Sequence, residues 1–179
     1  MLRTYGAHLA FAISAFGVVN SFAQTAADQP SRSEQYQEQA IRLEMAPIKT
    51  RQDLIRYLKD ADASNPLNKL SEDAKTRWLD TLTVNAKGEI SSYWIDDIRS
   101  ELSPTDAYKV FALFGTPELA PRVNNGQVET PVDAKIKAMK DKGVHPAITG
   151  YYCSGGYCTE SNQLTCVENR CTPPPSPGH

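Results

Sequence analysis

Four cysteines carry most of the chemistry open to this 179-residue chain. Cys153, Cys158, Cys166 and Cys171 are its only cysteines, and they fall within 19 residues near the C-terminus. A thiol can act as a nucleophile, a metal ligand or half of a disulfide. An even number of them, close together in an exported chain, points to two disulfides. Four cysteines allow three pairings. The pairs 153–171 and 158–166 have equal position sums, so both fit one antiparallel hairpin register centred on Asn162. Tyr151, Tyr152 and Tyr157 on one side, and Leu164, Thr165 and Val167 on the other, suit strands. Cys153 and Cys158 are an odd number of residues apart, so on one regular strand they would face opposite sides. A bulge in Ser154-Gly155-Gly156 would correct that. The nested pairing is the expectation. A metal site is the competing use, but C-x4-C…C-x4-C is looser than the zinc-knuckle spacing of two to four residues, with His145 and His179 as further ligands. A redox-active pair usually has two residues between its cysteines, at a helix start that lowers a thiol pKa.

Oxygen ligands form a second pattern. Asp60, Asp62 and Ser64 stand at positions 1, 3 and 5 of a helix–loop–helix calcium loop, with Leu67 at the apolar position 8 and Asn68 at position 9. Position 6 is Asn65 instead of Gly, position 12 is Ser71 instead of a bidentate Glu, and Glu72 comes one residue late. A second echo places Gly88 and Ile90 correctly but offers Thr83, Asn85 and Lys87 as ligands. The layout over roughly residues 50–102 resembles an EF-hand without meeting its motif, so no family is assigned. Asp60 and Asp62 read as a solvated turn, and no metal or cofactor is assigned.

Hydrolytic chemistry has little to work with. A Ser–His–Asp arrangement would have to use His145, beside Pro146, and no nucleophile-elbow pattern occurs. Asp96, Asp97 and Glu101 could supply carboxylates, but on an amphipathic helix such residues form the wet face. Ser154-Gly155-Gly156-Tyr157 lacks the Lys of a phosphate-binding loop. The chain reads as non-catalytic.

These groups must be positioned by the elements around them. Ser31 to Met45 reads as a helix with a thin apolar stripe of Ala40, Ile41 and Met45, ended by Pro47. Thr50 with Asp53 makes a capping arrangement for a second helix, and Ser71 opens a third that presents Ala74, Trp78, Leu79 and Leu82. Asn85 to Gly88 suits a type I turn between very short strands, 82–84 and 89–91. Trp94, Ile98 and Leu102 lie at helical spacing, and Ser103-Pro104 opens a helix that Gly115 stops. The expected fold is mainly α. A small helical core of helix-loop-helix type spans 49–115, with a short β-turn, a C-terminal disulfide-stapled β-hairpin and a disordered Pro-rich tail. Trp78 and Trp94 are expected in that core.

The remaining boundaries follow from composition. Arg3, the apolar run Leu9–Val19 and Ser21-Phe22-Ala23 read as an export signal over 1–23. Residues 24–48 form a polar entry segment with a helix. Residues 116–149 form a linker, with Pro117, Pro121 and Asn124-Asn125-Gly126, and a short helix that runs from Thr130 to Lys142. Residues 150–171 are the stapled hairpin and 172–179 the proline tail. The formal net charge of −2 offers no basic face for nucleic acid. Apolar residues are 40% of the chain and charged residues 22%, which suits a folded chain, and after signal cleavage no segment reaches the roughly 20 apolar residues of a membrane span. The expected protein is secreted or periplasmic. It binds another protein or a cell-surface component, with Tyr151, Tyr152 and Tyr157 as the contact residues. A precursor that releases a C-terminal cysteine-rich peptide, or a degenerate EF-hand-like cation binder, is the alternative. Intact-mass measurement of the exported protein should find residues 1–23 missing and Gln24 at the N-terminus; a product that keeps Met1 would refute the export signal.

Overall fold

The computed structural model describes residues 31–123, 128–139 and 147–172. The expected export signal over 1–23, Gln24 to Pro30, Asn124-Asn125-Gly126, Lys142, His145, and the tail from Pro173 to His179 lie outside the described residues; the helix expected to reach Lys142 ends at Lys137. Among the described residues, five of six α-helices are announced by a local capping signal. α1 (Arg32–Met45) starts at Ser31, whose side chain and that of Glu34 cap each other's backbone N–H. α2 (Arg51–Lys59) repeats this with Thr50 and Asp53, and α6 (Pro131–Lys137) with Thr130 and Asp133. α3 (Glu72–Thr81) is capped by Ser71, and α5 (Pro104–Ala112) by Ser103 with Pro104 in its first turn. α4 (Ile95–Glu101) begins directly after Trp94 with no side-chain cap. Gly115 ends the α5 region at φ 66, and a Cβ there would lie 2.8 Å from the Arg42 carbonyl oxygen and the Leu43 Cα. Glycine thus lets the exit of α5 cross the end of α1 in close backbone contact.

The mainly helical expectation is overturned by the sheet. Among the described residues 53% are helical and 20% are in strands, and four strands form one antiparallel sheet. These are β1 (Thr83–Val84), β2 (Ile90–Trp94), β3 (Ala147–Ser154) and β4 (Tyr157–Val167), in the order β1-β2-β4-β3. β2 pairs with the end of β4 through Ser92↔Cys166, Tyr93↔Thr165 and Trp94↔Leu164. The C-terminal hairpin therefore supplies two strands of a sheet instead of standing apart. The physical reason is the makeup of β2. Ser91 and Ser92 are buried along with Ile90 and Tyr93, so a strand covered on both faces carries neither an apolar run nor an alternation. Trp94 closes this strand, although its spacing with Ile98 and Leu102 extends the helical pattern one residue too far.

The core lies where the helices meet this sheet. Trp78 is fully buried with its ring edge-on to Phe114 at 5.8 Å, and Tyr93 meets Phe111 in the same way at 5.2 Å. Trp94 is partly buried and packs against the cluster. The core is not confined to 49–115. Leu119 and Ala120, in a 3-10 turn over Pro117–Val123, are buried in it, and so are Ile136 of α6 and Val167 of β4. The segment read as a linker thus contributes core residues, because two prolines permit a 3-10 turn that carries apolar side chains inward.

One buried cation ties the ends of this arrangement together. Arg170 follows β4 in a 3-10 turn over Glu168–Arg170 and is 0% exposed. Its guanidinium pairs with Glu118, and its Nε lies 3.6 Å from the Glu89 carboxylate. Glu89 also accepts hydrogen bonds from Gln39 at 2.8 Å and Asn85 at 2.9 Å, and Asn85 donates to the Arg170 carbonyl at 3.2 Å. The network joins α1, the β1–β2 turn, the Pro117 turn and the C-terminal end. Truncating the cation leaves a buried carboxylate without its counter-charge, which costs on the order of 3–5 kcal/mol. Arg170→Ala should lower the denaturant midpoint accordingly, and a midpoint equal to wild type would remove this network from the account of stability.

Candidate contact site: the stapled hairpin tip

β3 and β4 are joined at Gly155 and Gly156, both at positive φ (59 and 92), with Ser154 opposite Tyr157. Two consecutive positive φ values define the type I′ turn, whose twist matches that of paired strands. Ser154-Gly155-Gly156 is therefore the turn itself instead of a bulge, and the hairpin is not centred on Asn162. Cys153 and Cys158 lie on opposite strands and face each other directly, so the parity objection disappears.

The disulfides are Cys153–Cys171, with Cα atoms 5.3 Å apart, and Cys158–Cys166, with Cα atoms 5.8 Å apart. The pairing is nested, but it arises from a different shape. Cys158 and Cys166 belong to the same strand. They can meet because the β3–β4 register shifts between Thr149 and Tyr151, from a Thr149↔Thr165 pair to a Tyr151↔Glu160 pair. The shift leaves 161–164 without partners on β3, and Gln163 adopts φ 70 within that stretch. The ladder folds back here, and both bonds fasten the far half of the hairpin, the tip, to its base at Cys166 and Cys171.

Strand alternation sorts the tyrosines. Tyr152 and Tyr157 share one face of the tip with Ser154 and Thr159, and they are 36% and 76% exposed. Tyr151 shares the other face with Cys153 and Cys158 and is half-buried. The three tyrosines thus divide into an outward pair and one that lies on the disulfide side.

The acidic candidates other than Asp60 have side-chain partners among the described residues. Asp60 is the C-cap of α2. Asp62 accepts hydrogen bonds from the Ser64 N–H at 2.8 Å and from its hydroxyl at 2.6 Å, an Asx turn. Asn65 caps the 3-10 turn Pro66–Lys69. These residues line an open depression of about 390 Å³ that also contains Asp53 and Arg56, which bond each other at 3.2 Å. Asp97 forms a two-point pair with Arg77, at 2.7 and 3.1 Å, and Glu101 accepts from the Ser71 N–H and hydroxyl. Among the described residues, the one group of three potential ligands with donor atoms within 4.8 Å of one another is Cys158, Cys166 and Cys171. All three are in disulfides, so none offers the thiolate that a metal needs.

No protein-family model, curated protein or solved structure matches this chain. Among the described residues no helix is long and apolar enough to cross a membrane.

Two strongly perturbed groups lie in the framework. Burial raises the Tyr93 phenol. Asp133 has its carboxyl held well below the usual range, chiefly by the Thr105 hydroxyl and then by Thr130, with backbone N–H donors from both residues. Its two oxygens accept from the Thr105 N–H at 2.9 Å, the Thr130 N–H at 2.9 Å and the Glu129 N–H at 3.2 Å. One carboxylate therefore caps its own helix, α6, and the first turn of α5. A lowered pKa in the folded state adds stability above the ordinary Asp value of roughly 3.9 and loses it as the pH falls toward the lowered value. Asp133→Asn should unfold more easily at neutral pH and show a flatter loss of stability below roughly pH 4; thermal unfolding across that range measures both, and parallel curves would exclude this role.

Proposed function

We propose that this protein is an exported, non-catalytic binding module. The outward face of its hairpin tip is the contact surface for another protein or a cell-surface component. The observation that carries this reading is the shared solvent face of Tyr152 and Tyr157 on a tip fastened by two disulfides. Tyrosines set among Ser, Gly and Thr give large contact area for little lost side-chain freedom. A tip fixed before the encounter avoids most of the ordering cost of binding. The disulfides are compatible with an extracellular or periplasmic compartment, and the export signal agrees with one. Among the described residues, the strongly shifted groups Asp133 and Tyr93 are accounted for by helix capping and core burial, which favours a non-catalytic role.

The buried central strand favours the whole chain over a released C-terminal peptide. Cys166 and Val167 are fully buried, and β4 pairs with both β2 and β3. Cutting the chain near residue 150 would withdraw two strands from the sheet. The engagement of Asp62 by Ser64, and the Arg56 cation beside Asp53, favour turn and capping roles over cation binding in the Asp60 loop.

The test is affinity capture on the immobilised protein from native envelope and secretion fractions, read by quantitative mass spectrometry. The Tyr152→Ala, Tyr157→Ala double variant should retain between about a fifth and a thirtieth of the amount of each specifically bound component, since two interface tyrosines contribute about 1–2 kcal/mol. Equal recovery of every component on both surfaces would exclude the tip as the contact site.

A further inference from the structure

The two disulfides are neighbours as well as nested. The sulfurs of Cys158 and Cys166, which form one bond, and of Cys171, which belongs to the other, lie within 4.8 Å of one another. The fourth cysteine, Cys153, sits directly across the ladder from Cys158. Cross-strand positions of an antiparallel pair have Cα atoms about 4.5–5.5 Å apart, inside the span that a disulfide bridges. Two local pairs, Cys153–Cys158 and Cys166–Cys171, are thus within reach of exchange. Exposure is uneven: Cys153 and Cys158 are half-buried, whereas Cys166 and Cys171 are buried.

We propose that this sulfur cluster is a thiol-triggered switch, in which the two tip-to-base disulfides exchange partners to become one bond within the tip and one within the base. The trigger is a small-molecule thiol acting as its thiolate. It attacks the accessible Cys153 sulfur, forms a mixed disulfide there, and expels the Cys171 thiolate. Cys171 attacks the Cys166 sulfur within its reach, forms Cys166–Cys171, and expels the Cys158 thiolate. Cys158 attacks Cys153 across the strand pair, forms Cys153–Cys158, and returns the small thiolate. Two disulfides are present at the start and at the end, no electrons are gained or lost, and the external thiol is a catalyst. Each step is an ordinary displacement of one thiolate by another through a mixed disulfide.

The mechanical meaning follows from what each bond joins. In the observed pairing both bonds cross the fold-back at Gly150 and 161–164, so the tip is held against Cys166 and Cys171. In the exchanged pairing no bond crosses it. The tip keeps its own staple beside the Gly155-Gly156 turn, the base keeps another beside Arg170, and the tip is free to swing about the fold-back. This inference stands whether or not the tip is a contact surface.

Two arms of one experiment test it. The intact oxidised protein is incubated without oxygen with a small amount of glutathione, trapped with a maleimide, and cut at Tyr157, Glu160, Glu168 and Arg170 without reduction. Both native linkages should decline together while 153–158 and 166–171 linkages appear in equal amount, with no increase in free thiol beyond the catalyst. In the second arm, Cys153→Ser leaves Cys171 free beside the remaining bond. Without any added thiol, the trapped label should then spread from Cys171 to Cys158, faster as the pH rises. A cooperative thermal transition certifies that this variant is folded, and the wild-type arm does not depend on it. Persistence of the native pairs alone in the first arm, appearance there of 153–166 and 158–171 instead, or a label confined to Cys171 in the folded variant, would each overturn the proposal.

Discussion

A guanidinium that no water reaches has to be neutralised where it lies. Arg170 meets that constraint with Glu118 on one side and the hydrogen-bonded Glu89 on the other. Its position sets much else. It immediately precedes Cys171 and follows the end of β4, so holding it in place holds the base to which the hairpin is bolted. Glu89 immediately precedes β2, the strand that pairs with that same end of β4. Removing two charges from water costs several kcal/mol per ion. Glu118, Glu89 and Arg170 are far apart in sequence, so these pairs join the Pro117 turn and the start of β2 to the end of β4.

The local signals in the sequence map closely onto the helices. Ser31, Thr50, Ser71, Ser103 and Thr130 each cap a helix because a short hydroxyl satisfies free N–H groups within its own stretch of chain. The Asn85 to Gly88 turn is legible for the same reason. The sheet is not. Pairing β2 with β4 brings together residues 70 to 74 positions apart, and no periodicity within either segment encodes it. The serines of β2 conceal its burial, and Arg170 resembles a surface residue of a polar tail. Tandem glycines with positive φ are a strong hairpin signal, but equal position sums draw attention to Asn162 instead. Pairing arithmetic gives the right bonds here from a hairpin whose turn lies elsewhere.

The tip shows how few residues can separate two jobs. Period-2 alternation sends Tyr152 and Tyr157 to solvent and Cys153 and Cys158 to the base, so the same ladder carries an exposed aromatic face and a fastening face back to back. Fastening one face removes conformational freedom from the other without placing any covalent bond among the exposed aromatics. A small protein has limited apolar surface to bury, and here the core is spent on the helical layer and the sheet. Rigidity at the periphery comes from sulfur instead of from packing.

The Cys153–Cys171 bridge has a consequence for a chain under load. Its sequence separation is 18, and everything between the two cysteines lies inside a closed covalent ring. Tension applied to the ends of the polypeptide passes across the bridge and never enters that ring. The helices can be drawn out one by one, and β4 can be peeled from β2, while the Gly155-Gly156 turn, Tyr157 and the inner bond travel as an unstretched pendant, with Tyr151 and Tyr152 on the loaded side of the bridge. The chain from Cys153 to Cys171 thus stays closed at forces that would unravel the body bearing it.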